Sequence, residues 1–404
     1  LLRIRRKKGF TMARGLFLAF PGHGHVNPTI GLVNELIRKG DEIIYICSEE
    51  FRSKFENTGA KFIGFDLDLS DFDGKNTIDN MGERFLKIFK NILNLAIEQE
   101  GEFDYIVVDP FIRPGTKIVE KFKVKKVITI STTFAINKEF SERILKSMSQ
   151  DKSTIDKMTE NFIKLKPEFE KLGKEFGISF PEKPIELITG VKNDLTIVFT
   201  SKYYQPNAEV FDETYKFVGP SIFDRRELED FKIENSKNKK IVYISLGTIA
   251  NTNIEFYKNC FKPLGSREDL MVIMSVGKKI NISDLGQIPT NFKLYNYVPQ
   301  LEVLKKVDLF ITHGGMNSSS EGLYNNVPLI VVPQFGDQPV VAKRVEELGA
   351  GVPLMGDISP LAIENAVNKI LSDNSYKENA KKVGESLREC GGYKRAAEAI
   401  HKVI

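Results

Sequence analysis

An alternation that occurs twice constrains this chain more than any other feature. From Leu16 onward, short apolar runs alternate with amphipathic segments of helical period, and after residues 219–240 the pattern begins again. The runs fall at 16–20, 42–47, 103–108 and 124–130, then at 241–245, 271–275, 308–312 and 328–332. Strand and helix in strict succession build a parallel sheet with helices on both faces. A chain of 404 residues exceeds what one such core usually holds. The expected fold class is therefore α/β, with two doubly wound Rossmann-like domains facing across a cleft. The expected division is 12–218 for the first domain, 219–240 for a polar linker after Gly219-Pro220, and 241–404 for the second, with residues 359–402 helical.

Charge excludes some partners. The chain carries 58 basic and 54 acidic residues, but Arg3, Arg5, Arg6, Lys7 and Lys8 all precede Met12. With these five set aside, 53 basic residues face 54 acidic ones, a net charge of about −1. So even a balance gives no footprint for nucleic acid. Residues 1–11 read as an upstream or non-native extension, with Met12 as the expected start. They lack the apolar core of a signal peptide. Residues 137–176 read as helices holding nine basic and eight acidic residues, with Phe162, Ile163, Phe169 and Leu172 as apolar contacts. That even mixture disfavours a membrane-surface helix. Three dispersed cysteines, Cys47, Cys260 and Cys390, offer no disulfide or zinc framework and fit a cytoplasmic protein. No stable membrane insertion is expected.

Histidine is scarce, and its placement is informative. Three of four histidines lie in two glycine turns. The first turn is Pro21-Gly22-His23-Gly24-His25-Val26-Asn27-Pro28, with Asn27 expected as N-cap and Pro28 as first helical residue. Ile30, Val33, Leu36 and Ile37 form the helix's apolar stripe and Gly40 ends it. In open α/β sheets, ligands bind beyond the carboxyl ends of the strands, where His25 lies. Asp109 ends the run at 105–108 and precedes Pro110, which also suits a helix cap. Neighbouring parallel strands would bring Asp109 to the same rim as His25. A carboxylate beside an imidazole fixes its tautomer and stabilises the imidazolium, the arrangement of a general base. No Gly-x-Ser-x-Gly elbow accompanies them, so the nucleophile is expected on the substrate. His23 reads as a bystander.

The second turn is Thr312-His313-Gly314-Gly315-Met316-Asn317-Ser318. Bare glycine amides, two hydrogen-bonding side chains and a helix start suit a diphosphate. The dipole supplies only about 0.3–2 kcal/mol, so His313 and several amides must act together. Ser245-Leu246-Gly247-Thr248 follows the second domain's first strand and can hold the same anion. None of these turns has the Gly-Lys-Ser/Thr of a P-loop. Glu321, about two helical turns past His313, can accept from ribose, and Asp337 and Gln338 suit sugar hydroxyls. For each of the three, a solvated or capping role is the plainer alternative.

Residues 297–338 carry Tyr-Val-Pro-Gln-Leu-Glu-Val-Leu, Thr-His-Gly-Gly-Met-Asn-Ser-Ser-Ser-Glu and Pro-Gln-Phe-Gly-Asp-Gln. This set resembles the donor signature of UDP-glycosyltransferases. The first turn resembles that of the bacterial macrolide-glycosyltransferase-like branch, and Phe217-Val218-Gly219-Pro220 is typical of the approach to its linker. The resemblance spans essentially residues 13–400. It implies a GT-B fold, with C-terminal helices returning to the first domain, and inverting, metal-independent transfer of a hexose, glucose above all, from a UDP-sugar co-substrate. The acceptor it implies is a small hydrophobic molecule bearing a hydroxyl.

By the same resemblance, His25 is the base and Asp109 its partner. Tyr297 takes the place of the Trp that stacks on uracil in plant members, and Val298 offers backbone contacts to that base. Gln300 and Glu321 match ribose contacts. His313, Gly315, Asn317 and Ser318 match the phosphate site, joined by Ser245, Gly247 and Thr248. Asp337 and Gln338 match sugar contacts. The chain departs from the plant pattern in having no Trp, and Met316 replaces a second one. Asp66-x-Asp68 and Asp71-x-Asp73 mimic a metal-binding acid pair, yet lie in a polar loop of the first half and receive no metal role.

Three rival readings frame the expectation. Gly22-x-Gly24-x-x-Asn27 approaches a dinucleotide fingerprint but lacks its third glycine, which disfavours an oxidoreductase. A non-catalytic nucleotide-sugar binder would not need the His25–Asp109 pair. A glycolipid synthase at a membrane surface shares the fold and the motifs.

Overall fold

A computed structural model describes residues 12–67, 77–141, 152–181, 193–223, 231–234, 239–247 and 251–404, with the backbone alone for 77–81 and 152–158. Two compact units result. The first gathers the described residues up to Phe199, Asn207–Phe223 and Gly391–Ile404; the second gathers Thr200–Pro206 and the described residues from 231 to Cys390.

The first unit holds seven parallel strands: β1 (Arg14–Leu18), β2 (Glu42–Ser48), β3 (Lys61–Phe65), β4 (Tyr105–Val108), β5 (Lys126–Ser131), β6 (Leu195–Val198) and β7 (Tyr215–Phe217). They run in the order β3-β2-β1-β4-β5-β6-β7. Its helices are α1 (His23–Arg38), α2 (Arg52–Phe55), α3 (Thr77–Ile97), α4 (Thr116–Lys121) and α5 (Lys152–Phe176). Strand alternation sorts side chains between the faces. Phe17, Tyr45, Tyr105 and Val107 pack with Val26, Ile30, Val33 and Leu36 of α1. Leu16, Leu18, Ile44, Ile46, Ile106 and Val108 pack with Ile88, Phe89 and Ile92 of α3 and Leu172 and Phe176 of α5.

The second unit repeats the plan. Strands β8 (Lys240–Ser245), β9 (Leu270–Ser275), β10 (Phe292–Tyr295), β11 (Leu309–Thr312), β12 (Leu329–Val331) and β13 (Gly351–Pro353) form one parallel sheet in the order β10-β9-β8-β11-β12-β13. Helices α6 (Ile254–Gly265), α7 (Gln300–Leu304), α8 (Met316–Tyr324), α9 (Gln338–Glu347), α10 (Pro360–Ser372) and α11 (Ser375–Glu389) accompany it. Val242, Ile244, Val272, Met274, Leu309 and Ile311 pack with Phe256 and Cys260 of α6 and Ile363 and Val367 of α10.

Helix α12 (Gly392–Val403) lies past the second sheet in sequence but packs on the first. Its Ala396, Ala397 and Ile400 join the α1 core. Behind them Asp41 Oδ2 accepts from Tyr105 Oη at 2.7 Å and lies 2.9 Å from His401 Nε2. The second unit thus ends at Cys390, 14 residues short of the 241–404 span read from the sequence, and the first unit runs on to Phe223 rather than 218. Residues 224–230 and 235–238 of the expected linker lie outside the described residues.

All eight expected runs are strands, each within two residues of its expected ends. Five more, β3, β6, β7, β10 and β13, lie outside the expected runs; all five have five residues or fewer, and β3, β7, β10 and β13 are the sheet edges. Two local expectations need correction. Helix α1 starts at His23, capped by extended Gly22, whose carbonyl accepts from the amides of His25 and Val26 at 2.9 Å each. Asn27 is therefore helical, and its Oδ1 accepts from Lys54 Nζ at 2.6 Å. Pro28 is then the sixth helical residue, and α1 lacks the amide bond it would have made to the Gly24 carbonyl. Within α5, Phe162, Phe169 and Leu172 are buried, whereas Ile163 is 62 % exposed, because one residue of helix turns it about 100° from Phe162.

Candidate functional site

In the first sheet the strand order reverses between β1 and β4, the switch point where open α/β sheets bind ligands. Leu18 pairs with Val108, so the residues that follow both strands emerge side by side. The Asp109 amide donates to the Leu18 carbonyl at 3.2 Å. His25, third residue of α1, brings Nδ1 to 2.6 Å from Asp109 Oδ2. Asp109 Oδ1 accepts from the Phe111 amide at 3.0 Å. No helix starts at Pro110; the next begins at Thr116. Asp109 therefore closes a short turn and orients His25 instead of capping a helix.

The carboxylate is buried, while the His25 side chain keeps 26 % of its surface. With Nδ1 facing a carboxylate, the imidazole proton sits on Nδ1 and Nε2 is the basic nitrogen. Phe20 and Phe111 stand 5.2 and 5.5 Å from the His25 ring, centroid to centroid, and Phe85 lies 6.0 Å from each of them. Apolar walls of this kind shut water away from a proton acceptor. His23 points elsewhere: its ring meets Phe51 at 5.1 Å and its Nδ1 lies 3.3 Å from Lys54 Nζ.

The second sheet reverses between β8 and β11. Ser245 pairs with Thr312, and Thr312 with Val331, so three strand ends share one rim. Gly247 and Gly314 adopt φ of +79° and +86°, which favour glycine. The His313 ring lies between Gly247 and Gly315. A Cβ at Gly247 would come within 2.6 Å of Cε1, and one at Gly315 within 2.4 Å of Nε2. Burial pushes the His313 imidazole down to about 4 although part of its surface stays open, so it is neutral near pH 7. A neutral imidazole can still donate one hydrogen bond to an anion. Asn317 and Ser318 are the second and third residues of α8, behind a Gly315 N-cap with no side chain to offer. That leaves first-turn amides of α8 directed out of the helix. The Ser245 hydroxyl accepts from the Gly247 amide at 3.4 Å. Thr248 lies outside the described residues.

Glu321 is 2 % exposed, which rules out a solvated role. Gln300 Nε2 donates to its Oε2 at 2.7 Å and to Ser318 Oγ at 3.3 Å, while Gln300 Oε1 accepts from Tyr243 Oη at 3.3 Å. Gln300, Ser318 and Glu321 are thus one network, and Tyr243 is a member the sequence reading missed; as an apolar-looking strand residue it gave no signal. Tyr297 is 44 % exposed and Val298 buried. Asp337 occupies the N-cap of α9 without a side-chain bond to its amides, which removes the capping alternative. Gln338 is buried, and its Oε1 accepts from the amides of Gln334 and Phe335 at 2.8 and 3.2 Å. Its carbonyl oxygen therefore shapes the loop that precedes α9.

Among the described residues, no three His, Cys, Asp or Glu side chains cluster as a metal site. Asp68, Asp71 and Asp73 lie outside those residues. No helix among them is long and apolar enough to cross a membrane.

Residues 221–388 match the family model of UDP-glucoronosyl and UDP-glucosyl transferase. The chain is 37 % identical to the uncharacterized UDP-glucosyltransferase YojK of Bacillus subtilis (strain 168) over 403 residues, covering 97 % of this chain and 98 % of that one. It is 27 % identical to the oleandomycin glycosyltransferase of Streptomyces antibioticus, covering 96 % of this chain and 90 % of that one. Among solved structures it resembles CalG4, the calicheamicin glycosyltransferase, with a TM-score of 0.80, 25 % identity and coverage of 97 and 98 %.

Proposed function

The chain belongs to the UDP-glucoronosyl and UDP-glucosyl transferase family, as a GT-B glycosyltransferase of the macrolide-glycosyltransferase-like branch, and on that premise we propose that it moves a hexose, glucose in the first instance, from a UDP-sugar to a hydroxyl of a small apolar acceptor. The observation that carries this reading is the 2.6 Å contact between His25 Nδ1 and Asp109 Oδ2 at the switch point of the first sheet. A binding protein has no use for an oriented proton acceptor.

In the proposed reaction His25 Nε2 takes the acceptor's hydroxyl proton as that oxygen bonds to the anomeric carbon. The bond from that carbon to the diphosphate breaks, and UDP leaves with its electron pair. A single displacement inverts the anomeric centre. Asp109 stabilises the imidazolium. His313, the α8 amides beside Asn317 and Ser318, and the Ser245-to-Thr248 turn stabilise the departing diphosphate without a metal ion. Gln300 and Glu321 take the ribose, Tyr297 and Val298 the base, and Asp337 with the Gln338 amide the sugar. Partly open rings of Phe20, Phe85 and Phe111 beside His25 support an apolar acceptor. Free thiols at Cys47, Cys260 and Cys390 support a cytoplasmic setting.

The test is a mass-spectrometric screen of UDP-glucose, UDP-N-acetylglucosamine, UDP-galactose and a TDP-sugar against phenols, macrolides and lipids. A hexose mass gain on an apolar hydroxyl acceptor from UDP-glucose is expected. Transfer from none of these donors to any acceptor would overturn the reading; transfer to lipids alone would favour the glycolipid synthase.

A further inference from the structure

Asn251 has no part in the reading above, yet its side chain lies where two turns of the second unit meet. Ser245 pairs with Ser275, which sets the turns after β8 and β9 side by side. Asn251 is 3 % exposed, and its Nδ2 donates to the Gly247 carbonyl at 2.8 Å. On its other side it fills the space over Gly277, where φ is +82° and a Cβ would come within 2.1 Å of Nδ2. The Gly277 carbonyl in turn accepts from Asn296 Nδ2 at 2.8 Å, one residue before Tyr297.

The orientation of the carboxamide is fixed by chemistry, since only its NH₂ can face the Gly247 carbonyl. Its Oδ1 is then buried with no hydrogen-bond partner among the described residues. Burying such an atom is unfavourable, so folding alone does not call for an amide here. What the amide does accomplish is local. Gly247, held by Asn251 through its carbonyl, is one of the two glycines that flank the His313 ring.

We propose that Asn251 is a positioning residue of the donor site: its carboxamide locks the left-handed Gly247 turn against His313 and so sets where the groups that grip the diphosphate stand. The inference rests on the donor reading given under Proposed function. It assigns Asn251 to the diphosphate half of the nucleotide and not to the base.

The test is calorimetric titration of the full chain with UDP and, separately, with uridine, for the wild type, Asn251→Ala and Asn251→Asp. Losing the buried bond that holds Gly247 should weaken UDP binding on the order of tenfold in both variants, with uridine binding changed by no more than about twofold. Asn251→Asp keeps the shape but sets a carboxylate oxygen against the Gly247 carbonyl. Once protonated it can donate again, so its UDP affinity relative to wild type should recover as the pH is lowered. A structural defect alone would not produce that recovery. Unchanged UDP affinity in Asn251→Asp, or equal losses for UDP and uridine, would overturn the inference while leaving the donor reading intact. A wild type that binds neither UDP nor TDP would overturn both.

Discussion

Nδ1 of His25 and Oδ2 of Asp109 lie 2.6 Å apart, although 84 residues separate them in the chain. Two parallel strands account for the meeting. Leu18 and Val108 pair at the ends of β1 and β4, and each strand releases its next residues at the same rim. A buried carboxylate held by the Phe111 amide then has one oxygen left to orient the imidazole.

The first prediction concerns this pair. Removing a general base lowers rate by roughly 10²–10⁴-fold. His25→Ala should fall in that range for an aliphatic alcohol acceptor. Asp109→Asn should also lose kcat, since an amide can donate to Nδ1 and leave the proton on Nε2. Steady-state kinetics decide it: near-normal kcat in His25→Ala with an alcohol would exclude the mechanism. A strongly acidic phenol would show less of the loss.

A second prediction separates close approach from backbone strain. Gly315 does not need a positive φ, but its Cβ would come within 2.4 Å of His313 Nε2. Gly286 has φ of +82° and open space around it. Gly315→Ala should therefore weaken UDP binding by about tenfold or more by displacing His313. Gly286→Ala should cost about 1–2 kcal/mol of stability and leave UDP affinity alone. Titration and urea unfolding of both variants test this.

The third prediction follows from the neutral His313. Its pKa is pushed down from 6.5 to about 4 by burial, so the unfolded chain takes up the proton first as pH falls. Unfolding is then favoured by acid across that window: the contribution is whole above pH 6.5, is lost as pH falls toward 4, and changes no further below it. Allowing for the part of the ring open to solvent, the loss between about pH 7.5 and about pH 5 is about 1–2 kcal/mol. Urea unfolding at both pH values should show that extra loss in the wild type relative to His313→Asn. Parallel pH dependence in the two proteins would contradict it.

A fourth prediction concerns the histidine outside the glycine turns. Asp41 is buried and faces both Tyr105 Oη and His401 Nε2. Asp41→Ala strands the Tyr105 hydroxyl and loosens α12 from the first unit. It should lower unfolding free energy by about 2–4 kcal/mol. Tyr105→Phe with Asp41→Ala should recover part of that loss, because the stranded hydroxyl is gone. Denaturant melts of the single and double variants measure both steps.

Much of the site was legible because its residues follow strands. Once the alternation places β1 and β4 in one sheet and β8 and β11 in the other, the residues after each pair must emerge at the rim of their own sheet: His25 and Asp109 in the first, Gly247 and His313 in the second. Gln300 and Tyr297 were singled out only through family likeness; Glu321 was also picked out by its place two helical turns past His313, but its burial was not, since a buried glutamate and a solvated one read alike in a helix. Asn251 and Tyr243 gave no local signal at all. Asn251 reaches back four residues to the Gly247 carbonyl and Tyr243 reaches Gln300, 57 residues away, and neither bond has a residue pattern that announces it.

Sequence by itself determined the two doubly wound sheets and the rim positions, because apolar periodicity and glycine act over a few residues. Tertiary structure alone decided two things. It made His313 neutral, since two bare glycines let the ring sink between turns distant in the chain. It carried α12 back to α1 and joined His401 to Asp41 across 360 residues. The physical reason is common to both: burial and hydrogen bonding between segments brought together by folding depend on which surfaces meet, and no local pattern records that.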